Sequence, residues 1–326
     1  MTVGMLNARP CVFTFLLGDD FSMMSLAAAI EPLRSCNRLQ EKQAFRWHLA
    51  SLNGETVTAA NGIAFATLPV SEVLAHTDYL FICGGERVVA PRVERGYLAI
   101  LRQAARQGLA IGALSTGTFL LAKCGLLKGY RCTIHWESLS AFSESWPDIH
   151  CTRTLFEIDR NRLTCAGGTA AMDMMLHLIG DRIGQPEAQA VASQFHHDRI
   201  RNMAEQQRGG ATLQTVAPPT VQSAIAVMRA HLENPLMMDD LAHRVGVGKR
   251  QLERLFAQYV EKTPQRFYLE LRLQQAREML IYSDQSVIDI ALSVGFNSTS
   301  HFAAWFRRVF GILPSRVRRG RRGKYQ

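Results

Sequence analysis

The sequence predicts an α/β doubly wound domain followed by an all-α domain with two helix-turn-helix motifs. Residues 9–200 alternate buried-strand and helix patterns, which is typical of a sheet with helices on both faces. The last third contains an internal repeat, in which each copy has a short helix, a glycine turn and a longer helix. The chain has 326 residues, enough for two domains of ordinary size.

Four apolar segments of the first domain predict strands, and most of them are apolar without interruption. Such runs are typical of parallel strands that helices cover on both faces. The segments between them have helical periodicity or a helix-favouring composition. The predicted strands are 11–17, 46–52, 78–85 and 109–114. The predicted helices are 25–39, 93–106 and 167–183. Ligands bind such sheets at the carboxyl ends of the parallel strands.

The repeat relates residues 240–247 to residues 289–296 at an offset of 49 positions. It continues past a one-residue insertion to Pro264 and Pro314. In each copy the longer helix has one apolar stripe and one polar face, which suits a helix that enters the major groove. Either helix alone could be an ordinary amphipathic helix of a bundle. The shared register and the glycine in both turns favour paired DNA-reading motifs.

The charge distribution supports a polyanionic partner for the last third. The chain carries 37 Lys and Arg residues against 28 Asp and Glu residues, a net charge of +9. Residues 220–326 hold 17 basic and 9 acidic residues and so account for +8 of this charge. Contacts of these cations with phosphates would supply sequence-independent affinity for DNA.

The domain boundaries follow from composition. Residues 201–219 are polar and rich in Gly and Pro, which predicts a linker. It separates a first domain at 9–200 from a DNA-binding domain at 220–319. Residues 320–326 form a basic tail, for which a solvated end is favoured over a specific DNA contact.

From residue 221 to residue 319 the chain resembles the DNA-binding domain of the AraC/XylS transcriptional regulators. Residues 286–318, which include Asp289-Ile290-Ala291 and Phe310-Gly311-x-x-Pro314-Ser315, follow that family's signature. The resemblance implies seven helices, with a central helix at 264–282 between two motifs that enter groove segments about 34 Å apart. The residues expected to contact DNA are Lys249, Arg250, Glu253, Arg254, Thr299, Ser300, His301 and Arg307. Family members often carry a long polar residue where this chain has Ala304, which predicts weaker base readout by the second motif.

The turn after the strand at 109–114 runs directly from strand into helix through Ser115-Thr116-Gly117, which is the geometry of a nucleophile elbow. Together with Gly84-Gly85, His135-Trp136 and residues 165–170, this turn makes residues 9–198 similar to flavodoxin-like domains of the PfpI type, related to class I glutamine amidotransferases. Enzymes of that superfamily place a Cys at the elbow, a His downstream and an acid in the first helix region. The corresponding residues here are Ser115, His135 and Ser25.

This substitution pattern predicts a degenerate site without catalytic residues. A Ser hydroxyl needs an adjacent base that is held by an orienting group, and no carboxylate occupies the expected position. The alternative is an active hydrolase in which Glu31 or Asp20 supplies the acid. The residues expected to bind a ligand are Ser25, Gly85, Ser115, Thr116, His135 and Trp136. For His135, a structural role is as plausible as contact with a ligand. For Trp136, packing in the core is somewhat favoured over a place in the wall of the pocket.

The two domains together resemble a subgroup of AraC-type regulators with a PfpI-like domain. Members of that subgroup respond to arginine, glycine betaine or carnitine, so the expected effector is a small nitrogenous metabolite. A quaternary amine would require an aromatic cage, for which Trp136, Phe21 and Trp47 are candidate walls. The resemblance further implies a homodimer that binds promoter DNA and activates transcription through RNA polymerase.

Cysteine usage and hydropathy predict a cytoplasmic protein. The seven cysteines are odd in number, and none forms a CxxC pair, which favours buried thiols over disulfides or a zinc site. No signal peptide or membrane-length apolar run is evident. The cysteine pattern thus favours a protein without a metal site. We also expect no cofactor.

Overall fold

The computed structural model describes residues 9–85, 91–207 and 217–323, without the side chains of residues 91–94 and 319–323. The chain divides into two compact units, Met1–Gln207 and Arg208–Gln326. Among the helices within the described ranges, none combines the length and the apolar character needed to cross a membrane. All seven cysteines are free thiols, and five of them are buried.

The first unit is built on a seven-stranded sheet with the order β10-β11-β7-β6-β1-β2-β5. All neighbouring strands are parallel except β10 and β11 at one edge, which are antiparallel. The strands are β1 Cys11–Leu17, β2 Phe45–Ser51, β3 Val57–Thr58, β4 Ala64–Phe65, β5 Leu68–Pro69, β6 Tyr79–Cys83, β7 Ala110–Leu114, β8 Arg131–Thr133, β9 His150–Thr152, β10 Phe156–Asp159 and β11 Arg162–Cys165. The four predicted strands are confirmed, whereas the antiparallel edge and the small parallel pair β8–β9 were not predicted.

Helices cover both faces of this sheet. The helices of the first unit are α1 Met23–Leu39, α2 Val70–Val73, α3 Pro91–Arg106, α4 Thr118–Lys123, α5 Leu139–Ser145, α6 Ala170–Arg182 and α7 Gln185–Gln194. Helices α1, α6 and α7 pack together over one face, and α3 and α4 pack against β7. Inward-facing aromatic residues fill the core, where Phe13 stacks on Tyr79 at a centroid distance of 4.8 Å. The doubly wound prediction is confirmed.

The second unit, within residues 217–323, is made of seven helices. They are α8 Pro219–Ala230, α9 Met238–Arg244, α10 Lys249–Val260, α11 Pro264–Tyr282, α12 Val287–Ser293, α13 Thr299–Phe310 and α14 Pro314–Gly323. Helices α9 and α10 form the first helix-turn-helix motif, α12 and α13 form the second, and α11 has the predicted bounds of the central helix. The turn glycines Gly246 and Gly295 have φ of +73° and +75°, a conformation that strains any residue with a Cβ.

The boundary between the units falls inside the predicted linker. Residues up to Gln207 pair with the first unit, because Gln207 N donates to Arg153 O at 2.8 Å and Leu155 N donates to Glu205 O at 2.9 Å. Residues 208–216 lie outside the described residues. At the other end, α14 includes the first four residues of the predicted basic tail.

Candidate functional site

The elbow after β7 has the backbone conformation that the sequence predicted. Ser115 has φ of +55°, in the left-handed region that a non-glycine residue adopts only under constraint. The turn then passes through a short 3-10 segment, Ser115–Gly117, into α4. A Cβ on Gly117 would lie 2.5 Å from the carbonyl oxygen of Ile82, so the close approach to β6 requires glycine here.

At this end of the sheet, Ser115 of the elbow lies close to Ser25 of α1 and to the loop before α6. A Cβ on Gly167 would lie 3.0 Å from both Ser115 Oγ and Ser25 Oγ, which places the two hydroxyls beside one backbone segment. Ser25 Oγ accepts from Gly168 N at 2.8 Å and donates to Ser22 Oγ at 3.0 Å. Ser25 is therefore brought to the elbow, as the resemblance implied, but it is buried and already engaged.

Thr116 and Gly85 lie at the carboxyl end of the neighbouring strand β6. Thr116 Oγ1 donates to Gly84 O at 2.8 Å. A Cβ on Gly85 would lie 2.3 Å from the backbone of Asp20, so this glycine is needed for close packing of two loops. The structure thus brings both predicted residues to the site, with Gly85 in a supporting role.

His135 and Trp136 follow β8, with ring centroids 5.6 Å apart. Burial lowers the pKa of His135 below its ordinary value, and the Glu137 carboxylate, 3.6 Å from Nδ1, partly opposes this effect. Thr118 Oγ1 lies 3.0 Å from Thr133 O and 3.3 Å from Ser115 O, which ties the elbow to the strand before His135. Among the residues that the structure describes, no hydrogen bond joins Ser115 Oγ to His135.

The acids considered as replacements are Glu31 of α1 and Asp20 of the loop between β1 and α1. Glu31 pairs with Arg34 at 2.7 Å on an exposed part of α1. The backbone of Asp20 packs on Gly85. A nucleophilic serine needs a base in contact with it. Within the described residues, the carboxylate that pairs with His135 is Glu137, at 3.6 Å from Nδ1.

The predicted aromatic cage is wrong for Phe21. This ring is fully buried and packs edge-on against Phe65 at 5.5 Å, so it is not free to contact a ligand. Trp47 packs on the hydrophobic core from the middle of β2. Trp136 contacts His135, a predicted ligand-binding residue, with ring centroids 5.6 Å apart.

Cys165 lies beneath the elbow and was not singled out from the sequence. Burial raises the pKa of this thiol to about 12, although the backbone N–H groups of Gly167 and Ser115 favour the thiolate. It therefore stays protonated near neutral pH and is no substitute for an elbow nucleophile. The sequence could have indicated this residue, because Cys165 ends a buried strand and lies within the segment 165–170 that carried the family resemblance.

A buried ion cluster fastens the end of the first unit to α6. Asp173 is fully buried and accepts from Arg201 Nη2 at 2.6 Å, Arg201 Nε at 2.9 Å and His197 Nε2 at 2.8 Å. Arg201 Nη2 also donates to Thr169 Oγ1 at 2.7 Å. The cluster connects the segment after α7 to α6 and to its N-cap Thr169, which directly follows Gly167 and Gly168.

In the first helix-turn-helix motif, the recognition helix α10 buries Leu252 and Phe256. The predicted DNA-contacting residues stand on its exposed surface: Lys249, Arg250, Glu253 and Arg254. Lys249 Nζ donates to Asp239 Oδ2 at 3.1 Å, which joins the two helices of the motif. Gln251 is equally exposed on this helix.

The second recognition helix, α13, buries Phe302 and Phe306. Its predicted DNA-contacting residues are also exposed: Thr299, Ser300, His301 and Arg307. Ser298 Oγ accepts from the backbone N of His301 at 3.3 Å and caps the helix. Trp305 would count as apolar in the helical pattern, but its indole N–H donates to Nε2 of the exposed His301.

Comparison with known proteins identifies both units. A model of the DJ-1/PfpI family matches residues 13–181, and a model described as a helix-turn-helix domain matches residues 241–320. The fold and the two sites therefore define a DNA-binding transcriptional regulator. The chain belongs to the AraC-type regulators that carry an N-terminal DJ-1/PfpI domain.

Two regulators of Pseudomonas aeruginosa match over nearly the whole chain. The HTH-type transcriptional regulator GbdR of Pseudomonas aeruginosa is 42% identical over 315 residues, covering 96% of this chain and 86% of the relative. The regulator CdhR of the same species is 41% identical over 310 residues, covering 94% and 91%. The crystal structure of an AraC family transcriptional regulator from Pseudomonas putida superposes with a TM-score of 0.52 and 30% identity, covering 57% of this chain and all of that one.

Proposed function

We propose that this regulator is controlled by a small nitrogenous metabolite, an amino acid or a quaternary amine, that binds at the elbow of the first unit. The observation that carries the proposal is the convergence of Ser25, Ser115 and Gly167 at the carboxyl end of the sheet. Ligands of doubly wound folds bind at this end. Among the described residues, no hydrogen bond joins Ser115 Oγ to a histidine or a carboxylate, which supports binding over turnover.

The effector would act by favouring one arrangement of the protein. A ligand shifts such an equilibrium only through its different affinities for the two states. In the favoured state, a homodimer formed through the first unit would present its DNA-binding units to paired promoter sites. Activation through contact with RNA polymerase is the direction of regulation that we expect.

Thermal melting of the full chain with arginine, glycine betaine or carnitine tests the effector, because a ligand of the native state raises the melting temperature. We expect one of them to raise it for the wild type and to have a reduced effect on His135→Ala. His150→Ala, at an exposed histidine of β9, is the matched control and should respond like the wild type. No shift with any of the three compounds would refute this class of effector.

A reporter gene separates sensing from constitutive DNA binding. We expect expression to follow the metabolite in cells with the wild type and to become unresponsive with His135→Ala. Equal expression with and without metabolite in the wild type would indicate an inert first unit.

A hydrolase or hydratase fused to a DNA-binding domain is the second candidate, because Ser115 keeps the strained φ of a nucleophile elbow. It predicts turnover of an amide or an isonitrile that Ser115→Ala abolishes. Equal background rates of turnover for the wild type and Ser115→Ala would exclude catalysis by Ser115 and favour a binding role for the elbow.

A further inference from the structure

The second recognition helix carries a hydrogen bond between the exposed His301 and the half-buried Trp305. Trp305 Nε1 donates to His301 Nε2 over 2.7 Å, one helical turn apart. The two rings are nearly perpendicular, at 77° with centroids 6.3 Å apart. Phe296 contacts the same imidazole edge-on at 5.9 Å. The His301 ring therefore has a defined orientation although the residue is exposed.

This hydrogen bond decides which nitrogen of the neutral imidazole carries the proton. An indole N–H can only donate, so His301 Nε2 must accept and the proton resides on Nδ1. The free position of the ring is then a hydrogen-bond donor. Acceptors in the major groove are N7 of either purine, O6 of guanine and O4 of thymine.

The surroundings leave His301 as the principal long polar group at the start of this helix. It is the third residue of α13, and residues near the N-terminus of a recognition helix contact base edges. Ala303 and Ala304 occupy the next turn, where the first motif has Glu253 and Arg254. Short side chains there allow close approach to the groove but offer no hydrogen bond.

Two cations hold the indole in place. The Arg308 guanidinium lies 5.0 Å and the Arg266 guanidinium 5.7 Å from the Trp305 ring, within range of cation–π attraction. The first motif has no such pair, because Gln251 and Leu255 stand at the positions of His301 and Trp305.

We propose that Trp305 is a positioning residue for base readout, which holds His301 as an Nδ1–H donor toward an acceptor on a base edge in the major groove. The proposal goes beyond effector control and depends only on DNA binding by this family. Preorganisation of the imidazole would reduce the ordering cost when the helix enters the groove.

The test uses the full chain and a duplex that the wild type selects from random-sequence DNA, with each base pair then substituted in turn. Trp305→Phe keeps an aromatic ring but removes the N–H donor. We expect His301→Ala and Trp305→Phe to lose discrimination at the same one or two base pairs, by about 10-fold where a good base contact is lost. The double variant should discriminate no worse than His301→Ala.

Two matched variants check the assignment. Gln251→Ala, at the equivalent position of the first motif, should change discrimination at different base pairs, about one helical turn away. Trp146→Phe, in the aromatic cluster with Phe119 and Phe142, should leave the discrimination profile unchanged. Circular dichroism must show equal helix content in all variants.

A spectroscopic signature separates positioning from general support of the helix. Nitrogen NMR of histidine-labelled full chain should show the Nδ1–H tautomer for the resonance that His301→Ala removes, and a shift toward Nε2–H in Trp305→Phe. The proposal is overturned if Trp305→Phe keeps the wild-type base profile, weakens all duplexes equally, or adds its effect to that of His301→Ala.

Discussion

The Arg272 guanidinium of the central helix donates from Nη2 to the carbonyl oxygen of Gly295 over 2.6 Å and from Nε to that of Val294 over 2.7 Å. It also lies 4.4 Å from the Phe296 ring. Burial lowers the pKa of Arg272 from its ordinary value, but a guanidinium stays charged at neutral pH. One side chain thus fixes the turn of the second motif to the helix that joins both motifs.

The same turn distinguishes two otherwise equivalent glycines. A Cβ on Gly295 would lie 2.6 Å from Glu233 O and 2.7 Å from the Pro235 ring, whereas a Cβ on Gly246 meets nothing within 4 Å. Both residues have positive φ. We expect Gly246→Ala to cost about 1–2 kcal/mol of stability through backbone strain, and Gly295→Ala to cost roughly 1–3 kcal/mol more through overpacking.

Urea unfolding followed by far-UV circular dichroism measures this difference. Gly246→Ala serves as the control for conformational strain alone. Equal losses for both variants would mean that the contact of Gly295 with residues 233–235 does not constrain the second motif.

Arg254 is a predicted base-reading residue of the first motif and is exposed on α10 beside Glu253. We expect Arg254→Ala to weaken binding to a selected duplex by about 1–3 kcal/mol if the guanidinium makes a bidentate base contact. Binding to random-sequence duplex should weaken much less. Competition assays at fixed salt measure the ratio of the affinities for the selected and the random-sequence duplex. If Arg254→Ala leaves this ratio unchanged, Arg254 does not read a base.

The internal repeat of the sequence was sufficient to locate both helix-turn-helix motifs and their turn glycines. The bounds of α11 were expected only from the family resemblance. The pattern could not place Trp305, because periodicity registers an aromatic residue only as apolar. Its polar contact with His301 depends on two side-chain rotamers at one helical turn's distance.

The first unit shows the same limit. The long buried strands were predictable, whereas β8 and β9 have three residues each and carry no periodic signal. The convergence of Ser25 on Ser115 was expected only from a family resemblance. Contacts between distant segments, such as Arg201 with Asp173, leave no local trace in the sequence.

Arg201 should stabilise the first unit more than its exposed neighbour does. Arg201→Ala would leave the fully buried Asp173 carboxylate with His197 and one backbone N–H as its hydrogen-bond donors. Removal of one partner of a buried pair costs about 3–5 kcal/mol. Because Arg201 is partly exposed, we expect the lower end, about 3 kcal/mol.

Tryptophan fluorescence during urea unfolding reads this loss, since three of the four tryptophans lie in the first unit. Arg199→Ala is the matched control: Arg199 pairs at the surface with Glu205, whose pKa it lowers to about 2. Surface pairs contribute little. Similar losses in the two variants would argue against a special role of Asp173.

The stability of the first unit should depend on the protonation of His135. Burial lowers its pKa in the folded state below the ordinary value of 6.5. Between these two values the unfolded chain binds more protons, so stability is lost as pH falls from 6.5 and the loss is complete below the folded-state pKa. The slope of the unfolding free energy against pH cannot exceed about 1.4 kcal/mol per pH unit for one proton.

His135→Asn should remove this pH dependence. The stability of the variant relative to the wild type should therefore rise as the pH is lowered through that window. Denaturant unfolding of both proteins between about pH 5 and 8 measures the difference. His48 also has a pKa lowered by burial, and it titrates in both proteins and cancels. A difference that is independent of pH would show that His135 is not desolvated in the folded protein.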